Sequence, residues 1–199
     1  MQAYMKTNQP FYGIQAGPRR VLFRAAVHRH PITTRSDFEE VIHELWEGIH
    51  REEQYVALDV AERFKKFRDA DSWPLFTHLV HTATHWDTLD WVAGKLVSLL
   101  ILKYRHFEED AADWAFSERM WVRRASILVH LRHKSETHTD LLATTILRLA
   151  HERAFFIRKA IGWVLRTYAR TDPDWVLAFV NTHTALLSGL SRREALKHL

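Results

Sequence analysis

The sequence predicts an all-α fold built from repeated helical units. Three observations carry this. No segment shows sustained apolar–polar alternation, the mark of a half-buried strand. Gly and Pro number only 6 and 5 in 199 residues, too few for the turns of an all-β chain. An aromatic residue recurs every 35 positions, at Trp86, Trp121 and Phe156, and each one opens a helical pattern. At this length one domain over residues 1–199 is expected.

The elements follow in order. Gly17-Pro18 opens a helix through RRVLFRAAVHRH. Ser36 is placed to cap DFEEVIHELWEG, with Glu39 completing a capping box. A helix over 52–67 carries Val56, Val60, Phe64 and Phe67 at helical spacing. His78, His81 and His85 then fall at i, i+3 and i+7, a spacing at which one helical face could present all three. His81 and His85 have zinc-like spacing, but there is no H-E-x-x-H, no cysteine and no carboxylate in the turn, so no metal is expected there. Glu108-Glu109-Asp110 reads as a solvated acidic turn. Thr139-Asp140 begins LLATTILRLA, and Asp172-Pro173 starts DWVLAFVNT.

The 35-residue repeat extends beyond its aromatics. Arg123 aligns with Arg158, Arg124 with Lys159, Ala125 with Ala160 and Val129 with Val164. An aliphatic–Arg–basic–Ala opening is the kind found in the second helix of HEAT-type pairs. Such pairs bury their apolar faces only by stacking, which builds a solenoid with a concave surface. Arg123, Arg124, Arg158 and Lys159 then form a repeated basic stripe, the requirement for gripping a sugar-phosphate backbone. Alternatively, these cations solvate helix ends or pair with neighbouring acids. Trp86 and Asp90, four apart, share a helix face. With Arg124 and Trp163 from the following repeats they can converge on one groove. The competing reading makes the tryptophans core and Asp90 a salt-bridge partner.

Composition bounds the function. Lys and Arg total 28 against 24 acids, net +4, and 20 of the 28 are Arg, the better bidentate phosphate ligand. There are no cysteines, which excludes disulfides, thiolate metal sites and cysteine nucleophiles. No apolar run reaches the 18 or so residues of a membrane span, and the N-terminus has no apolar signal core. A cytoplasmic, nucleoid-associated protein is expected.

The motifs WDTLD at 86–90, WVRRA at 121–125, FFIRKAIGWVLR at 155–166 and LSRREALK at 190–197 resemble those of the bacterial AlkD-type DNA alkylation repair glycosylases. YMK from Tyr4 and PFYGIQ from Pro10 are similar to that family too, so the resemblance runs from about Tyr4 to the end. It implies a HEAT-like α-solenoid with a concave DNA-binding groove, whose relatives remove cationic N3- and N7-alkylated purines from duplex DNA. By resemblance Trp86, Asp90 and Trp163 form the catalytic set. Arg124 is its DNA-contacting Arg, and Tyr4 the N-terminal Tyr near the lesion. Arg123, Arg158, Lys159 and Arg166 join them as DNA-binding cations. Family members carry roughly twenty residues more before Tyr4, forming a first helix, so this is expected to be an N-terminally shortened member.

The chemistry fits those roles. An alkylated purine is already cationic and leaves as a neutral base, so no general acid is needed. Asp90 stabilises the deoxyribose oxocarbenium ion and orients water. The tryptophan faces add cation–π attraction of roughly 0.5–2 kcal/mol. The expected protein is a monomer acting on double-stranded DNA, with no cofactor, no metal and no membrane. Two alternatives stand beside it: a DNA-binding protein without turnover, and a HEAT-type protein-interaction scaffold.

Overall fold

Phe38, Ile42 and Trp46 recur every four residues and are buried along one face of α3 (Arg35–Trp46). That face packs on α4 (Arg51–Arg63), which buries Ala57, Leu58, Val60 and Ala61. In the computed structural model, which describes residues 2–5 and 7–199, the chain divides into two compact units, Met1–Leu79 and Val80–Leu199. Helices are the only regular elements among the described residues, as the sequence predicts. None of those helices is long and apolar enough to cross a membrane.

The first unit holds α1 (Gln2–Met5), α2 (Ala16–Arg29), α3, α4 and the start of α5 (Trp73–Thr82). The α3 cap differs from the one predicted. Thr34, in extended conformation, accepts the Asp37 N–H at 3.1 Å, and Asp37 accepts the Thr34 N–H at 3.0 Å. This box lies two residues before the Ser36/Glu39 one. Ser36 is inside the helix, and Glu39 pairs with Arg35 at 3.5 Å instead. Thr34→Ala is expected to cost about 1 kcal/mol, lowering Tm by about 2–4 °C in thermal unfolding followed by circular dichroism. An unchanged Tm would show that the cap contributes nothing.

Helix α4 ends at Arg63, earlier than its apolar stripe suggests. Phe64 leaves helical geometry at φ −93°, ψ 61°, and residues Lys65–Phe67 make a 3-10 turn. Phe67 thereby meets Phe38 at 5.3 Å between ring centres. At the other end of α4, the buried Glu52 carboxylate accepts N–H groups of Tyr12, Gly13 and Ile14 at 2.9–3.1 Å. The PFYGIQ segment is thus wrapped round one acid. Gly13, at φ +82°, supplies the left-handed turn that lets consecutive N–H groups converge there.

The second unit contains the repeat. Residues 86–103 run as one helix: α6 (Trp86–Trp91), a π-helical stretch (Val92–Val97) and α7 (Ser98–Lys103). After α8 (Phe107–Asp113) come α9 (Met120–Leu128), α10 (Thr139–Leu149), α11 (Phe155–Tyr168), α12 (Pro173–Thr182) and α13 (Gly189–Ala195). Helices α6, α9, α11 and α13 pack in sequence, each on the next, with α8, α10 and α12 against the same row. The repeat register is the packing register. Val122 and Ile157, Ala125 and Ala160, Val129 and Val164 are all buried at equivalent places, and the Trp121 and Phe156 rings meet at 4.8 Å. Gly162 completes the row. A Cβ there would come within 2.4 Å of Glu194 Cβ and 2.9 Å of the Ser191 carbonyl, so only glycine lets α13 lie this close to α11. The starts of α10 and α12 are where the sequence places them, with Asp172 accepting the Trp175 N–H at 2.9 Å.

Candidate active site

Trp86 is the first residue of α6 and Asp90 lies one turn later, one residue short of the helix end at Trp91, after which the π-helical stretch begins. Widened turns of this kind collect at functional sites. This one presses on the segment after α9: Gly94 sits where a Cβ would approach Leu131 Cδ1 to 2.9 Å. Arg132 N–H donates to Ser98 Oγ at 3.1 Å from the same segment.

The neighbouring helix α9 brings Arg124 to Asp90. The guanidinium makes a bidentate pair, Nε to Oδ1 and Nη2 to Oδ2, both at 2.8 Å. Its Nη1 donates to the Phe156 carbonyl on α11, and its carbon lies 5.8 Å from the centre of the Phe156 ring. The two side chains are only 5% and 15% exposed. Arg124 therefore bonds both α6 and α11, and its fork fixes the orientation of the Asp90 carboxylate. Burial pushes the Asp90 carboxyl above the ordinary aspartate range. The Arg124 hydrogen bonds and charge oppose that shift, while the nearby Asp87 adds to it.

Trp163 lies half-buried in α11, the helix packed on α9. The predicted cations are mostly paired. Arg123 bonds Glu152 at 2.5 Å and the carbonyls of Ser117 and Glu118 at 2.8 Å. Lys159 and Arg166 share Glu194, at 2.9 and 2.5 Å. Arg158, half-buried, has no ion pair among the described residues, and its Nε is buried without a hydrogen-bond partner. Tyr4 is 78% exposed in α1 of the first unit. The structure thus joins Asp90 to Arg124 and sets Trp86 and Trp163 on the same row of helices. Of the basic stripe, Arg123, Arg124 and Lys159 stand in separate ion pairs, and Arg158 has none among the described residues.

The structure departs from two readings of the sequence. The histidine face does not form, because α5 ends at Thr82 and His85 is the N-cap of α6. His78 instead stands beside His43, with ring centres 5.1 Å apart, and His81 meets the edge of Trp114. Glu108 is not solvated. It is 3% exposed and lies among His130, His133 and His138, since one of three consecutive acids on α8 must face inward. Burial pushes His130 down to about 3 and His133 to about 4, so both are neutral near pH 7. The spacing of His130 and His133, three apart, was the available signal for this group.

The comparisons with known proteins agree with the architecture. The family model described as DNA alkylation repair enzyme matches residues 1–199. A solved structure titled "Predicted DNA alkylation repair enzyme from Enterococcus faecalis" is 30% identical, with a TM-score of 0.89, covering 100% of this chain and 92% of that one. AlkD2 from Streptococcus mutans is 15% identical with a TM-score of 0.68, covering 100% and 98%, a likeness of fold. No curated protein matches the sequence.

Proposed function

This chain belongs to the DNA alkylation repair enzyme family, with an all-α HEAT-like fold, and from that premise we propose that it is a DNA glycosylase excising cationic N3- and N7-alkylated purines. Acting as a monomer on duplex DNA, it hydrolyses the bond between deoxyribose C1′ and the alkylated base. The base takes the bonding electron pair and leaves neutral. Water adds to C1′ and loses its proton to solvent. Asp90, ionised, stabilises the positive charge that develops on the sugar and orients that water. Trp86 and Trp163 offer electron-rich faces to the cationic base and sugar.

The observation that carries this reading is the Asp90 carboxylate, half-buried at 15% side-chain exposure and held by two 2.8 Å hydrogen bonds from Arg124. A preorganised charge in a poorly solvated place is worth more to a developing cation than a mobile surface acid. The test is base release from a duplex carrying one N7-methylguanine, read as alkali-labile strand breaks. Release is expected. Intact duplex binding with no release would favour the reading without turnover, which the same ion pair supports, because Arg124 neutralises the carboxylate.

The distribution of ion pairs predicts which cations bind DNA most. Arg158→Ala should weaken duplex binding at low salt and reduce the slope of log affinity against log salt by about 1. Lys159→Ala should do less, since Glu194 already neutralises that amine. Equal losses in fluorescence-anisotropy titrations across salt would contradict this order.

A further inference from the structure

Glu108, His130 and His133 bring three ligand-type atoms within 4.8 Å of one another. All three residues are buried, at 3%, 4% and 1% exposure. The orientation of His133 is fixed by its other nitrogen, since Nε2 lies 3.1 Å from the Ser98 carbonyl. A carbonyl only accepts, so Nε2 carries the proton and Nδ1 carries a lone pair. That Nδ1 faces Glu108 Oε1 at 3.7 Å, and His130 Nδ1 faces the same oxygen at 3.9 Å. Neither Nδ1 has a hydrogen-bond partner, although both are buried. The His133 lone pair and the Glu108 oxygen therefore face each other with nothing donated between them, and His130 Nδ1 stands beside the same oxygen.

A buried polar atom without a partner calls for an explanation, and spacing narrows it. Ligands about 2.05 Å from a tetrahedral ion stand about 3.4 Å apart. Two acceptors hydrogen-bonded at about 2.8 Å to one water stand about 4.6 Å apart. The observed 3.7 and 3.9 Å are closer to the first. We propose that Glu108, His130 and His133 form a binding site for a divalent transition ion, Zn²⁺ by ligand type. Two imidazoles and one carboxylate suit zinc, leaving its fourth position to water.

The surroundings supply the outer partners such a site needs. The Ser98 carbonyl holds the His133 ring, as outer groups hold ligating imidazoles. His138 Nδ1 lies 2.6 Å from Glu108 Oε2 and anchors the second carboxylate oxygen. Arg105 Nη1 donates to both oxygens at 3.3 Å. Its charge weakens the site for a cation. The ion joins α8 to the 3-10 segment Val129–Arg132 that continues α9. Its role is to brace the end of the helix that carries Arg124.

The test uses the full chain stripped of metal by a chelator. Calorimetric titration with Zn²⁺ should give one site per chain, and Tm should rise by about 5–10 °C at about a hundredfold excess of free ion over Kd. His130→Gln and Glu108→Gln should each weaken binding by about 10–100-fold or more. His43→Gln should not weaken it, although His43, Glu47 and His78 form another close group. Zinc-edge X-ray absorption of the unaltered chain should show two imidazoles with oxygen ligands, a readout that stands even where a variant does not fold. Absence of zinc binding, binding lost only in His43→Gln, or an edge spectrum without imidazole would each overturn the proposal.

Discussion

Asp90→Asn is expected to abolish measurable base release while leaving duplex affinity close to that of the parent. The substitution keeps the shape and removes the charge. A single preorganised electrostatic contact of this kind is worth about 10²–10³ in kcat. The asparagine oxygen still accepts one Arg124 hydrogen bond, but the amide N–H₂ opposes the other donor. Tm should therefore fall as well, since charge-assisted bonds of this type contribute about 1.5–3 kcal/mol. The rate must be read well below the new Tm. If Asp90→Asn releases N7-methylguanine as fast as the parent, Asp90 is structural and the oxocarbenium ion is stabilised elsewhere. If both are inactive and both bind duplex with the same salt slope, the chain is a DNA-binding relative.

How much of this site was legible beforehand depends on the range of each interaction. Asp90 and Trp86 could be paired from sequence because a helical turn places them together. The repeat could be read because Ala125 and Ala160, or Val129 and Val164, fill equivalent packing positions, and packing constrains residue type. Asp90–Arg124, Arg123–Glu152 and Arg166–Glu194 link residues 34, 29 and 28 positions apart. Spacing made such pairs possible but did not select them over phosphate contacts. Only the stacked helices decide which cation is already satisfied. The sequence does not single out the Thr34 box because Thr34, Ser36, Asp37 and Glu39 offer two overlapping cap patterns, and backbone geometry chooses between them. Glu108 is illegible in the sequence because three acids in a row look solvated unless the partners at His130, His133 and His138 are known.

Arg124→Ala is expected to affect protonation of Asp90 more than DNA affinity. Arg124 is the group that opposes the burial-driven rise of the Asp90 pKa. Removing it lets burial and Asp87 act unopposed, so the carboxyl should titrate at still higher pH. Base release needs the ionised form, so the acid limb of the pH–rate profile should move upward in the variant, with kcat falling and KM changing little. Stability follows the same sign. A carboxyl whose folded pKa lies above its ordinary 3.8 binds protons more tightly in the folded chain. Its contribution is complete below pH 3.8 and is lost as pH rises through the folded value. At neutral pH the variant leaves a half-buried carboxylate without its guanidinium, a loss of up to about 3 kcal/mol and of several degrees in Tm. Arg124→Lys should restore part of the acid limb, because one cation remains, but not the bidentate hold. The opposite pattern, an unmoved pH profile with a raised KM and a shallower salt slope, would show that Arg124 serves a phosphate. The Asp90 pair would then be a resting arrangement that DNA displaces.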